Sequence, residues 1–227
     1  MGTILGPVVA AMFATGGCSG AVATPSPTIL RSPLLTSAPT ASPTSTSGAT
    51  PTPTRAPTPA PTPDTTGVAT RIVIASLRIN LPVVEFPTPP APFYCNVAMW
   101  WSDNGNFVLP GRRGSTFILA QPRAGMFLPL LQASQVSDGK SLIGSKVEVY
   151  TSADWQFTFS IAEVRRHVKN GRDTLDLPLG ATSPELWVET GEGGIASPVL
   201  LVGATLVSAS SASHAAAQPS PKIVACP

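Results

Sequence analysis

Arg113–Leu131 reads RGSTFILAQPRAGMFLPLL, a short strand, STFILA, followed by a polar corner and an apolar turn. The β-branched and aromatic side chains of STFILA suit a pleated, part-buried surface. After Gly125, Met126 to Gln135 is predicted to form a short helix, which Pro129 limits to a turn or two. A second stretch, Pro184–Gly194, reads PELWVETGEGG and sets another strand, ELWVET, against a glycine-rich end.

The same character extends to both sides. ATRIVIASLRINLPVVEF gives two short strands around Ser76–Asn80, with Pro82 expected at an edge or a strand start. KVEVYTS, WQFTFSIAEVRRHV and VLLVGATLVS are further strand candidates. In KVEVY, Val147 and Val149 face one way while Lys146, Glu148 and Tyr150 face the other. Thr151–Trp155, TSADW, is a polar turn suited to a hairpin. Many short strands with little helix make an all-β domain, either a closed barrel or a sandwich. Residues 67–208 suffice for one such core. The tail, 209–227, is rich in Ala, Ser and Pro and is expected to be disordered unless Cys226 ties it down.

The chain holds 26 prolines among 227 residues, and many crowd into Thr24–Thr66 in runs such as PTPTRAPTPAPTP. Such a segment buries almost no apolar surface and stays extended, so 18–66 reads as a stalk. At about 3 Å per residue it would reach on the order of 100 Å. Ahead of it, Ile4–Ala14 is an apolar run too short to span a bilayer but suited to a signal-peptide core. It leads into Thr15-Gly16-Gly17-Cys18, which resembles the lipobox of bacterial lipoproteins. That resemblance implies a signal peptide over 1–17 and lipid on Cys18, tethering the chain to the outer face of a bacterial membrane. Ordinary secretory cleavage and an uncleaved anchor are the alternatives.

The net charge of +2 is not gathered on one face; Arg112-Arg113 and Arg165-Arg166 are the only doublets of that kind, so no nucleic-acid partner is expected. His167 and His214 are far apart and no carboxylates cluster, so neither a metal site nor a cofactor is expected. Cys95 and Cys226 remain once Cys18 is assigned to lipid, and in an oxidising compartment they are disulfide candidates; two free thiols are the alternative.

In this order the segments resemble those of the sortase family, with a likeness to its classes E and F. RIVIASLRINLPVVE is similar to the family's opening strands, and NFVLPGRRGSTFILAQPRAG to its stretch P-G-x-x-G-x-x-V-x-A-G-H-R. GSKVEVYTSADWQFTFSIAEVRRHV resembles its hairpin, ELWVETGEGG its strand L-T-L-I-T-C-G-G, and SPVLLVGATLV its closing strand. The resemblance implies a closed sortase-like barrel with one or two short helices. It also implies a mechanism in which a Cys thiolate attacks a peptide carbonyl, a His serves the leaving amine and an Arg stabilises the oxyanion. Those three positions fall here on Gly191, on Gln121 and on Val199 or its neighbour Pro198, none of which can do that chemistry.

Three readings of function follow. The leading one is a tethered, non-catalytic module whose groove binds an extended peptide or cell-wall protein, with Gln121, Arg123, Thr190, Trp100 and Trp101 as binding candidates. In that reading Phe93, Tyr94, Trp100 and Trp101, on a loop-like stretch, line the groove; plain barrel packing is the other account of them. The second is an active cysteine transpeptidase or hydrolase whose chemistry has moved to Cys95, His167 and Arg123. The third is an unrelated stalked β-domain lipoprotein that binds a small ligand.

Overall fold

The computed structural model describes residues 61–87, 93–102, 105–169, 171–193 and 197–226, and they fall in a unit spanning Ala56–Pro227. The leader, Cys18 and most of the stalk lie outside the described residues. Alternation governs the hairpin over residues 146–168. In β5 (Lys146–Thr151) the side chains of Val147, Val149 and Thr151 are buried, and those between them are more open. Asp154 then turns the chain with a left-handed φ of 57°, a conformation that Asp tolerates better than most residues. β6 (Trp155–Val168) returns antiparallel, from Tyr150↔Gln156 to Lys146↔Ser160.

The other strands are β1 (Ala69–Ile74), β2 (Ile79–Glu85), β3 (Ala98–Trp100), β4 (Gly114–Leu119), β7 (Pro184–Gly191) and β8 (Val199–Ser211). They close into an all-β barrel in the order β1-β2-β3-β4-β7-β8-β6-β5. Closure leaves no open edge along the sheet. Two neighbouring pairs, β2 with β3 and β4 with β7, are parallel. A parallel pair needs a long crossover, and the one from β4 to β7 carries α1 (Leu128–Gln135), β5, β6 and α2 (Arg172–Leu179). A third short helix, α3 (His214–Ala217), follows β8. Among the described residues no helix is long and apolar enough to cross a membrane.

The barrel interior is filled by Ile72, Ile118, Phe157, Phe159, Leu186 and Val202, joined by Leu130 and Leu131 of α1. A smaller apolar cluster, Phe107, Phe117, Trp187 and Leu201, covers the other face of β4, β7 and β8. β4 shows the division: Phe117 belongs to the second cluster and its neighbour Ile118 to the first. Both faces are therefore covered here, which explains the continuous apolar run FIL.

Two expectations change, one holds, and one helix forms where the sequence pattern predicts none. Pro82 is not at a strand start but in the middle of β2, opposite Arg71. The ladder to β3 begins only at Val83, so Pro82 has an unpaired flank on that side and its missing donor is tolerated. The short helix expected after Gly125 is α1, eight residues and about two turns long, with Pro129 in its first turn, where the absent N–H has no helical partner to lose. The segment RDTLDLPL, which carries Pro178, is helical. The domain does not end at Ser208: β8 runs to Ser211, Ala217 is buried, and the Thr70 hydroxyl donates to the Ala217 carbonyl.

Candidate functional site

β4 and β7 lie parallel with Leu119 beside Glu189, and the Ala120 N–H donates to the Glu189 carbonyl at 3.2 Å. Just past this point β4 leaves the sheet. Gln121 is fixed at the bend by its carbonyl, which accepts from the N–H groups of Arg123 (2.9 Å) and Phe127 (3.2 Å). On the opposite side Gly191 pairs with Val199 across the ends of β7 and β8. Gln121, Gly191 and Val199 line a single cavity of about 380 Å³, along with Pro122, Thr190 and Ser197. A side chain at Gly191 would have room, since a Cβ built there meets nothing nearer than the Gly193 carbonyl at 3.8 Å.

Sequence reasoning overlooks the ionisable group of this cavity, Glu189. In PELWVET the period of two puts Glu189 on the same face as Trp187 and Gly191. Glu185, on that face as well, accepts from the Trp187 indole N–H at 3.0 Å. Glu189 is surrounded instead by Leu119, Leu201 and Phe93. Burial without a compensating partner pushes its pKa from 4.5 to about 7. The parity of Glu189 with Gly191 is readable in the sequence; the apolar character of its neighbours is not.

The remaining candidates separate. Cys95 is joined to Cys226 by a disulfide with a Cα–Cα distance of 5.0 Å, so among the described residues no cysteine offers a thiol. Arg123 lies against these sulfurs, with Nη1 in contact with Cys95 Sγ and 3.7 Å from Cys226 Sγ. His167 sits at the end of β6, where its Nδ1 is 2.5 Å from Glu192 Oε2 and its backbone N–H donates to Glu192 Oε1 at 3.0 Å. The structure thus engages Cys95 and His167 with different partners and gives them no shared site. Thr190 is buried, and its hydroxyl has no described partner. Trp100 is not on a loop but in β3, and it belongs to the barrel core. Trp101 turns the other way, towards Phe86, Phe107 and Phe117.

No family model matches the chain, and no curated protein matches it. Among solved structures it is similar to sortase A of Listeria monocytogenes, at 14% identity over 66% of this chain and 93% of that one, with a TM-score of 0.48. Sortase E1 of Streptomyces coelicolor, solved with a tripeptide in its active site, is similar at 12% identity over 63% and 89%, TM-score 0.49. A sortase D5 transpeptidase of Clostridium perfringens is similar at 17% identity over 63% and 79%, TM-score 0.44.

Proposed function

We propose that this chain is a tethered, extracytoplasmic module of sortase type that holds an extended peptide in the groove beside β4 and β7 without cutting it. One observation carries the reading. The three positions that the sequence motifs align with a histidine, a cysteine and an arginine, Gln121, Gly191 and Val199, line one cavity. Motifs matched by chance would scatter such positions over the barrel. An amide, a hydrogen atom and an isopropyl group leave those three positions without the thiolate, imidazole and guanidinium that the chemistry needs. What remains is a slot lined by Leu119, Pro122 and Val199 together with the polar side chains of Gln121 and Ser197, which suits an extended segment. The Cys95–Cys226 bridge fits an oxidising compartment, and the Pro-rich stretch behind Cys18 fits a spacer and an anchor.

A labelled sorting-type peptide titrated with the oxidised protein tests this by anisotropy. Binding is expected, and Gly191→Trp, which fills the groove where a side chain has room, is expected to weaken it about ten-fold or more. Equal binding by the variant, or none by the parent, would overturn the assignment of the groove.

A further inference from the structure

Next to the groove, and sharing Glu189, Leu119 and Phe93 with it, lies a second cavity of about 230 Å³. Phe86, Phe93 and Trp101 supply three aromatic walls; Leu175 and Thr174 of α2 and Glu189 of β7 complete it. The rings are mutually braced, with Phe86 5.8 Å from Phe93, edge to face, and 5.9 Å from Trp101. Their backbones are held as well. The Phe86 N–H donates to the Trp100 carbonyl at 2.7 Å, the Trp101 N–H to the Phe117 carbonyl at 3.0 Å, and the Cys226 N–H to the Phe93 carbonyl at 2.7 Å. The disulfide therefore anchors one wall.

We propose that this cavity binds an alkylated ammonium group, with the cation against the faces of Phe86, Phe93 and Trp101 and its charge met by the Glu189 carboxylate. Ring faces attract a cation that has shed its water, and a carboxylate lacking any other partner is left for it to neutralise. Glu189 has no hydrogen-bond or ion-pair partner among the described residues, and burial alone accounts for its raised pKa. The side chains around it are Leu119 of β4, Leu201 of β8, Thr174 and Leu175 of α2, and the three rings; none of them titrates or carries charge. Thr174 already donates its hydroxyl proton to the Lys169 carbonyl at 3.1 Å. A primary ammonium brings three N–H donors to this single carboxylate and would leave some unsatisfied, at a cost that methyl groups avoid. The volume suits a small head group, not a drug-sized ligand.

The inference stands on the rings and the carboxylate and does not depend on peptide binding in the groove. The test is calorimetric titration of the oxidised full chain at pH 8.5 with choline, with trimethyl-lysine, with ethanolamine and with the uncharged choline isostere 3,3-dimethylbutan-1-ol. Choline or trimethyl-lysine is expected to bind about ten-fold or more tightly than both ethanolamine and the isostere, and the tighter of the two tells a choline head group from a methylated side chain. Glu189→Gln is expected to remove the preference for charge over the isostere, and Trp101→Leu to weaken both trimethylated ligands about five-fold or more. Phe86→Leu repeats that arm if Trp101→Leu fails to fold. Isostere binding equal to that of both trimethylated ligands, or a preference for charge that survives Glu189→Gln, would overturn the proposal. So would a titration without heat for either trimethylated ligand while the protein remains folded by near-UV circular dichroism.

Discussion

Glu189→Gln tests whether the barrel buries an uncompensated carboxyl. In the folded chain this carboxyl is held protonated up to about pH 7, against an ordinary value of 4.5. The raised value means that folding favours the neutral acid. Below pH 4.5 the group is protonated in both states and imposes no penalty. Between pH 4.5 and about 7 the unfolded chain releases its proton while the folded chain keeps it, so stability falls as pH rises. Above about pH 7 the loss is complete. At about 1.4 kcal/mol per pH unit the rise corresponds to roughly 3 kcal/mol, an upper bound because the side chain keeps some contact with water. Glutamine has nearly the same shape and no charge to desolvate. Urea unfolding of oxidised parent and variant at pH 4.5, 6 and 8 reads this directly. The variant is expected to gain on the parent as pH rises, by about 2–3 kcal/mol at pH 8 relative to pH 4.5. Taking the difference between the two proteins cancels the contribution of every other ionisable group. Parallel stability profiles across that range would refute the argument, and would mean that water reaches Glu189.

Two further outcomes follow from packing and covalent structure. Gly111 has a φ of +83°, and a Cβ there would strike the Phe157 ring; Gly111→Ala is expected to destabilise the barrel by about 2–4 kcal/mol in urea melts, and a loss below the scatter of the measurement would contradict the close approach. The Cys95–Cys226 bridge spans 131 residues, so Cys226→Ser is expected to cost on the order of 4 kcal/mol. It should also speed hydrogen exchange at the Cys95 amide, which donates to the Val224 carbonyl at 2.8 Å; unchanged exchange there would mean that the tail docks without its covalent tie.

The strands that face water on one side were the easiest to read. Val147 and Val149 alternate with Lys146 and Glu148 in the sequence as they do in β5, because a half-buried strand imprints its period on the chain. Periodicity left barrel and sandwich equally open, and closure rests on non-local pairings such as β1 with β5 that it cannot encode. α2 was hidden because Pro178 sits in its last turn, a position that a rule against helix-interior proline screens out. Trp100 and Trp101 looked alike as neighbours, yet Trp100 closes β3 with its ring in the core while Trp101, just past the strand, turns its ring to the outer cavity. The Ala- and Ser-rich tail looked like linker because composition reports only local burial. What holds it are the Cys226 tie that the sequence left open and contacts from residues far away in sequence, the Thr70 hydroxyl and the Arg71 guanidinium, on the carbonyls of Ala217 and Ala216. For the candidate site, Gln121, Gly191 and Val199 were legible through motif order. Glu189 was not, since its environment is assembled by β4, β8 and α2 together.

The most direct measurement of the central claim is intact mass and peptide mapping after the oxidised protein has stood with a sorting-type peptide at neutral pH, alongside a Cys95→Ala variant. An unmodified protein mass and an uncut peptide are expected from both. Cleavage, or an acyl adduct on the protein, that disappears in the Cys95→Ala variant would contradict it.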